Sequence, residues 1–359
     1  MIVGKNILII SPQSWDSRKV SKHHYANEFA KSAKVYFLNP PSYGFLDSGV
    51  KLSKISENLV VITLTLPIPR FFKFKFGKCF RYSLVRHLKN MISKIDEINC
   101  LWNFDNGTYF KEEYVFPEAI KVFHPVDDFE VSAEFNYATY DVGFAVSPEI
   151  LAKIPLNRKF FINHGVDDLH LSQKQQLGKV SKNKPENIVY VGNLSIRFLD
   201  TPVLIKLISE NNDLQFDFVG DYDAENQFIH FLKSQSNVSL LGPKFGQELQ
   251  QKICEADILL LCYKKQPFYF ADNSHKILEY LSTGNVIVSS QLSVYNGSDL
   301  FPMAKDIENH DYVELFSTVI NNFSNYNSIE MRMSRIEFAK DNTYSKQVAR
   351  IDKYLDEVV

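Results

Sequence analysis

Four cysteines in 359 residues, with no Cys-x-x-Cys pair among them, offer no disulfide framework and no thiolate metal site. Cys79, Cys100, Cys254 and Cys262 therefore read as free thiols of a reducing compartment. Excess charge of one sign is missing too: 40 Lys and Arg face 42 Asp and Glu, a formal net charge of -2, so nothing global points to nucleic acid. No apolar run approaches the ~18–20 residues that span a bilayer. The opening MIVGKNILIISPQSW has too short an apolar stretch, and no small-residue cleavage site, for a secretory signal. A cytoplasmic protein is expected, with contact to a membrane surface left open. Neither HExxH nor a Cys/His cluster is present, His23 and His24 are merely adjacent, and the dinucleotide fingerprint GxGxxG is absent.

What is present is a chain of ordinary globular composition, 45% hydrophobic and 23% charged, long enough for two cores. Short apolar runs alternate with helix-compatible segments, the pattern of parallel sheets flanked by helices. Strands are expected at 6–11, 34–39, 59–66, 100–104, 121–125, 142–147 and 159–163, with helices around 19–32 and 79–95. A polar stretch from Asp167 to Asn187 then reads as a linker. A second series follows at 187–192, 214–220, 238–242, 257–263 and 285–290. The final segment reads as helical with a break near Asp341-Asn342. These readings divide the chain into α/β units at 1–168 and 169–340, with a terminal helix at 341–359.

Several strand ends carry polar residues, and strand C-terminal ends are where open α/β sheets present ligand-binding groups. HPVDD (124–128) and HGVDD (164–168) echo each other; in each, Asp stands equally for a site residue or a helix cap. In VYVGNLSIRFLD, Gly192, Asn193 and Ser195 form a loop suited to phosphate oxygens, with Arg197 to add charge, although such turns are common structurally. FVGDYDAE places Gly220 and Asp221 at the next strand end. Its Asp221-x-Asp223 matches a metal-binding pattern but is more simply a turn, so no metal is assigned.

DNSHKILEYLSTGNVIVSS (272–290) poses a sharper question. Asp272, Asn273 and Ser274 can cap a helix that Gly284 ends, yet Lys276 then sits at the positive end of the helix dipole. An anion bound by Asn273, Ser274, His275 and the first amides would turn Lys276 from a misfit into a ligand. Glu279, one turn deeper, would accept hydrogen bonds from vicinal hydroxyls such as a ribose offers. The plain alternative is an exposed Lys276–Glu279 pair, with Ile277, Leu278 and Leu281 in the core.

Taken in order, HGVD, YVGNLS, FVGD, ADILLLCY and HKILEYLSTGNVIVSS resemble the two-domain GT-B glycosyltransferases. The likeness is to the retaining, nucleotide-sugar-dependent group of capsular and teichuronic-type polysaccharide biosynthesis. It implies two Rossmann-like domains facing across a cleft. Residues 1–168 would be the acceptor side, 169–340 would bind the nucleotide-sugar, and 341–359 would cross back onto the first domain. It also implies that Glu279 grips the ribose, and that Arg197, Lys276 and helix amides stabilise the departing diphosphate with no cofactor and no metal. Gln13, Ser14 and Trp15, with His124, Asp127 and Asp128, are the implied acceptor-side groups, His124 and Asp127 being the catalytic candidates among them. Two positions depart from the group: Ala271-Asp272 stand where many members have the first Glu of Glu-x7-Glu, and Asn193 stands where Arg is common.

From Arg70 to Lys94 there are eight Lys and Arg and no Asp or Glu. In RFFKFKF, alternation would put Phe72, Phe74 and Phe76 on one strand face, among Arg70, Lys73, Lys75, Lys78 and Arg81. Such a surface suits the anionic inner face of a plasma membrane, and with it a lipid-linked saccharide acceptor. A solvated basic face with core Phe is the plainer reading. The expected protein is a peripheral, metal-independent glycosyltransferase of bacterial surface-polysaccharide synthesis, with no nucleic acid partner. A sugar-nucleotide epimerase of the same architecture, or a non-catalytic nucleotide- or glycan-binding relative, are the alternatives.

Overall fold

A computed structural model describes residue 2 and residues 4–167, 171, 182–264 and 273–358. The chain forms two compact units: residues 1–164 together with 344–359, and residues 165–343.

In the first unit, β1 (Asn6–Ile10), β2 (Lys34–Leu38), β3 (Ser42–Tyr43), β4 (Gly49–Lys54), β5 (Leu59–Leu66), β6 (Cys100–Asn103), β7 (Ile120–Phe123), β8 (Val142–Ala145) and β9 (Lys159–Phe161) make one sheet. Its order is β3-β5-β2-β1-β6-β7-β8-β9, parallel throughout, with β4 added antiparallel beyond β5. The helices are α1 (Ser21–Phe29), α2 (Phe72–Lys75), α3 (Gly77–Ile92) and α4 (Pro148–Lys153). Strand pleating explains why the runs are continuously apolar: Ile7 and Ile9 enter one core, while Leu8 and Ile10 enter the core on the other face.

The second unit has β10 (Asn187–Val191), α5 (Thr201–Glu210), β11 (Gln215–Val219), α6 (Gln227–Ser234), β12 (Val238–Leu240), α7 (Gly246–Glu255), β13 (Ile258–Leu261), α8 (Lys276–Thr283) and β14 (Val286–Ser289). Its sheet is parallel with order β12-β11-β10-β13-β14. The same alternation recurs, with Ile188 and Tyr190 on one face and Val189 and Val191 on the other. Then come α9 (Tyr312–Asn321), α10 (Phe323–Tyr326), α11 (Ile329–Asp341) and α12 (Tyr344–Val358). The helical break falls at residues 342–343, and α12 belongs to the first unit. There Ile351 and Leu355 are buried in its core, and Gln347 Nε2 donates to the His164 carbonyl at 2.9 Å.

Three expectations need correction. RFFKFKF is a helical turn and not a strand: Phe74 and Lys75 N–H both bond the Phe71 carbonyl, and Phe76 N–H bonds that of Phe72. Pro69 starts the turn by accepting from Phe72 N–H at 3.0 Å, which satisfies amides that an unpaired strand would leave open. Phe72 is half-buried, while Phe74 and Phe76 point to solvent. The edge strand β4 was not expected, because GVKLSK is polar and largely exposed. The cap of α8 is His275, in helical conformation, with no side-chain cap bond; Ile277 N–H takes the Ser274 carbonyl instead. Asp168 of HGVDD, most of the expected linker, and Ala271-Asp272 lie outside the described residues.

Candidate active site

In the second unit the chain moves outward from β10 through β11 to β12, then crosses back to β13 on the other side of β10. The switch point between β10 and β13 opens at their C-terminal ends, where such sheets hold ligands. Gly192 leaves β10 there and Tyr263 lies just past β13, with the first turn of α8 following.

Two glycines shape the entry. Gly192 has φ 153° and Gly220 has φ 150°, both in the range that side chains disfavour. A Cβ on Gly220 would lie 1.9 Å from the Gly192 carbonyl oxygen, so the two strand ends approach as closely as backbone allows. Gly192 N–H donates to Val219 O and Leu194 N–H to Asp221 O, each at 2.8 Å. Asn193 Oδ1 accepts from Ser195 N–H at 2.8 Å, and Ser195 Oγ accepts from Asp223 N–H at 2.7 Å. Asp221 and Asp223 are exposed members of this turn, and Asp223 Oδ1 accepts from Glu225 N–H at 3.1 Å. Among the described residues no group of three or more His, Cys, Asp and Glu could hold a metal ion.

Lys276 occupies the centre. A Cβ on Gly192 would lie 2.5 Å from its Nζ and 2.8 Å from the Tyr190 hydroxyl, so the glycine makes room for both. Lys276 is 9% exposed. Its ammonium donates to Tyr263 Oη at 2.6 Å and lies 5.4 Å and 5.8 Å from the Tyr263 and Tyr190 ring centres. Among the described residues no carboxylate pairs with it. A buried cation with neutral partners is costly by several kcal/mol, and an anion at the same place offsets that cost. The exposed Lys276–Glu279 pair is thereby replaced by a buried cation facing two tyrosines. Glu279 is half-buried one turn on, and Ile277, Leu278 and Leu281 are wholly buried, as their spacing predicts. Burial pushes the Tyr190 and Tyr280 phenols well above their usual range, so both stay neutral. Tyr280 Oη accepts from Val191 N–H at 3.1 Å, which ties α8 to β10. Arg197 is exposed in the loop before α5.

Tyr190 and Tyr263 were not singled out from sequence, since YVG and LLLCY read as strand alone. Their signal was an aromatic hydroxyl at a strand's C-terminal edge.

The first unit has its own switch point, between β1 and β6. Gln13, Ser14 and Trp15 follow β1 there. Gln13 Oε1 is buried and accepts no hydrogen bond, whereas Trp15 is a core residue, packed edge-on to Phe37 at 5.0 Å. The Ser14 carbonyl accepts from Ser17 Oγ at 2.6 Å and lies 3.0 Å from His23 Nε2. His124 is not placed for proton transfer. It is wholly buried among Tyr25, Trp102, Phe104 and Phe144, and its Nδ1 accepts from the Trp102 indole at 3.3 Å. Burial, then His164 and Lys22, hold its imidazole down at about 3, so it is neutral. Asp128 is likewise structural: its carboxylate is buried, pairs with Lys153 and accepts from Phe129 N–H. Asp127 is exposed and pairs at 2.9 Å with the buried Lys22 of α1. No helix starts after HPVDD, so neither Asp is a helix cap there.

Of the basic surface, Arg81 pairs with buried Glu112 at 3.0 Å, and Lys73 lies 4.1 Å above the Tyr109 ring. Arg70, Lys75 and Lys78 are exposed. No helix among the described residues is long and apolar enough to cross a membrane.

These features define an α/β protein of the GT-B fold, two parallel-sheet units in one chain. No protein-family model matches the chain, and no curated protein matches it in sequence. Solved structures match over nearly its whole length. One, named for trehalose-6-phosphate from E. coli bound with UDP-2-fluoro glucose, has TM-score 0.70 and 11% identity, covering 97% of this chain and 98% of that one. HepE of Anabaena in complex with UDP and glucose gives TM-score 0.65 and 12% identity, covering 97% and 99%. The alpha,alpha-trehalose 6-phosphate synthase of Burkholderia multivorans gives 0.68 and 9%, covering 99% of each.

Proposed function

We propose that this protein is a glycosyltransferase that moves a sugar from a nucleoside-diphosphate sugar to a saccharide acceptor, without a metal at the diphosphate. One observation carries the reading: the buried Lys276 ammonium, with no carboxylate partner among the described residues, set against Gly192 at the switch point. Lys276 and the first amides of α8 meet the diphosphate, Glu279 accepts from the ribose hydroxyls, and Arg197 adds charge as the leaving group departs. Neighbours of the same fold captured with UDP and with UDP-2-fluoro glucose support the donor class. Gln13, at the first unit's switch point, is the acceptor-side group with an open hydrogen-bond position. The acceptor is a lipid-linked saccharide of bacterial surface-polysaccharide synthesis, and the exposed Arg70, Phe74, Lys75 and Lys78 rest on the anionic inner membrane face.

The test is acceptor-independent hydrolysis across UDP-, GDP-, ADP- and CMP-sugars. Slow release of one nucleotide, unchanged by chelator and at least ~100-fold slower in Lys276→Met, is expected from loss of a charge-stabilising group. A strict Mn²⁺ requirement would return Asp221 and Asp223 to the site. Recovery of an isomerised sugar nucleotide would identify an epimerase instead.

A further inference from the structure

The first unit carries a second concentration of positive charge that donor binding leaves unused. A groove of about 790 Å³ runs beside α3, walled by the start of β4 and the residues after β5. Along α3 it is lined by an outer stripe, Lys78, Tyr82, Arg86 and Asn90, spaced four apart, and at its floor by the adjacent Cys79, Ser83 and His87. The other side of α3, with Phe80, Leu84 and Leu88, is buried in the core. The outer stripe is thus not what holds the helix in place. Ile68 and Pro67 give the groove an apolar wall, and no Asp or Glu lines it. Among the described residues neither Lys78 nor Arg86 has a carboxylate partner. The volume is that of a small-molecule site.

Large apolar side chains stand out of the same region. Tyr82 is 74% exposed, and Phe45 and Leu46, at 69% and 99%, lie just before Ser48 of the groove wall. A free phosphate gives such groups nothing to bury against, and a nucleic acid could stack on Phe45 and Tyr82 but has no apolar body for Leu46, whereas an amphiphile offers a charged head and an apolar body together.

We infer that this groove takes the phosphate headgroup of a membrane lipid, held by Lys78 and Arg86, while Phe45, Leu46 and Tyr82 enter the bilayer interface. The inference rests on the membrane-surface reading above and is independent of the sugar-transfer chemistry. It converts a diffuse basic face into a site with a stoichiometry.

Calorimetric titration with dihexanoyl phosphatidic acid below its micellar concentration tests it, alongside sedimentation with phosphatidylcholine vesicles containing phosphatidic acid. Saturable one-to-one binding is expected, at least ~10-fold weaker in Arg86→Gln and in Lys78→Gln, as loss of a charge-assisted contact implies. Binding of the soluble lipid should be unchanged in Lys89→Gln, an exposed residue of α3 that lies off the groove. Inorganic phosphate and a single-stranded oligonucleotide should each bind at least ~10-fold more weakly than the lipid. Absence of saturable binding, no effect of Arg86→Gln, or equal affinity for phosphate or oligonucleotide overturns the inference. Vesicle sedimentation then separates the failures: retained sedimentation leaves the membrane surface standing without the groove, and lost sedimentation removes both.

Discussion

At the scale of single residues, burial decides what a titratable group does. Lys276, at a helix start, and His124, at a strand end, both stood out in sequence as candidates, and both are buried. Tyr263 takes one of the three donors of the Lys276 ammonium, which leaves two for the diphosphate proposed above. His124 is enclosed by aromatic rings and serves the core. Its effect is on stability: with a native pKa of about 3 against an unfolded value near 6.5, the native state binds fewer protons. That stability is fully present above pH ~6.5 and is lost as pH falls toward 3, amounting to ~2 kcal/mol at pH 5. Denaturant melts between pH 7 and 4.5 should therefore show a slope that His124→Phe flattens; an identical slope in the variant would mean the imidazole charges in the native state. The pattern of residues could nominate both groups, but burial is a tertiary property and could not sort them.

At the scale of elements, the proposed donor site requires α8 to present Lys276 and Glu279 from a fixed position. Its far end is held by Arg335 of α11, which is wholly buried. Arg335 donates to three carbonyls: Leu300 at 2.7 Å, Gly284 at 3.0 Å and Tyr326 at 2.7 Å. Gly284 is the left-handed C-cap of α8, so this guanidinium closes the helix and joins it to two other segments. Burial lowers its pKa to about 10, still charged at neutral pH. Arg335→Met should cost ~3 kcal/mol by leaving buried carbonyls unsatisfied, and chemical denaturation reads it directly. A loss below ~0.5 kcal/mol would show that water replaces the guanidinium without penalty. The element pattern was legible where apolar runs were long: all twelve expected strands are present, with ends shifted by at most two residues. It failed at RFFKFKF, where alternation mimicked a strand but the backbone pairs within a helical turn, and at β4, where an exposed edge strand carries little apolar signal.

At the scale of the whole molecule, the two series of strands were readable in sequence, and they form two separate sheets. That the last helix belongs with the first unit was implied by the family resemblance and not by the strand pattern. What sequence could not supply is the pairing of Gly192 with Lys276, 84 positions later in the chain. Only the strand order puts them together, by setting β10 beside β13 at the switch point. In the proposed function this juxtaposition is the diphosphate site. Calorimetric titration of UDP and GDP into the wild-type protein and Lys276→Met tests it most directly, with circular dichroism confirming that the variant is folded. Micromolar binding of one nucleotide is expected for the wild type, with a loss of at least ~10-fold, about 1.4 kcal/mol, in the variant. Equal affinity in the two proteins would contradict it.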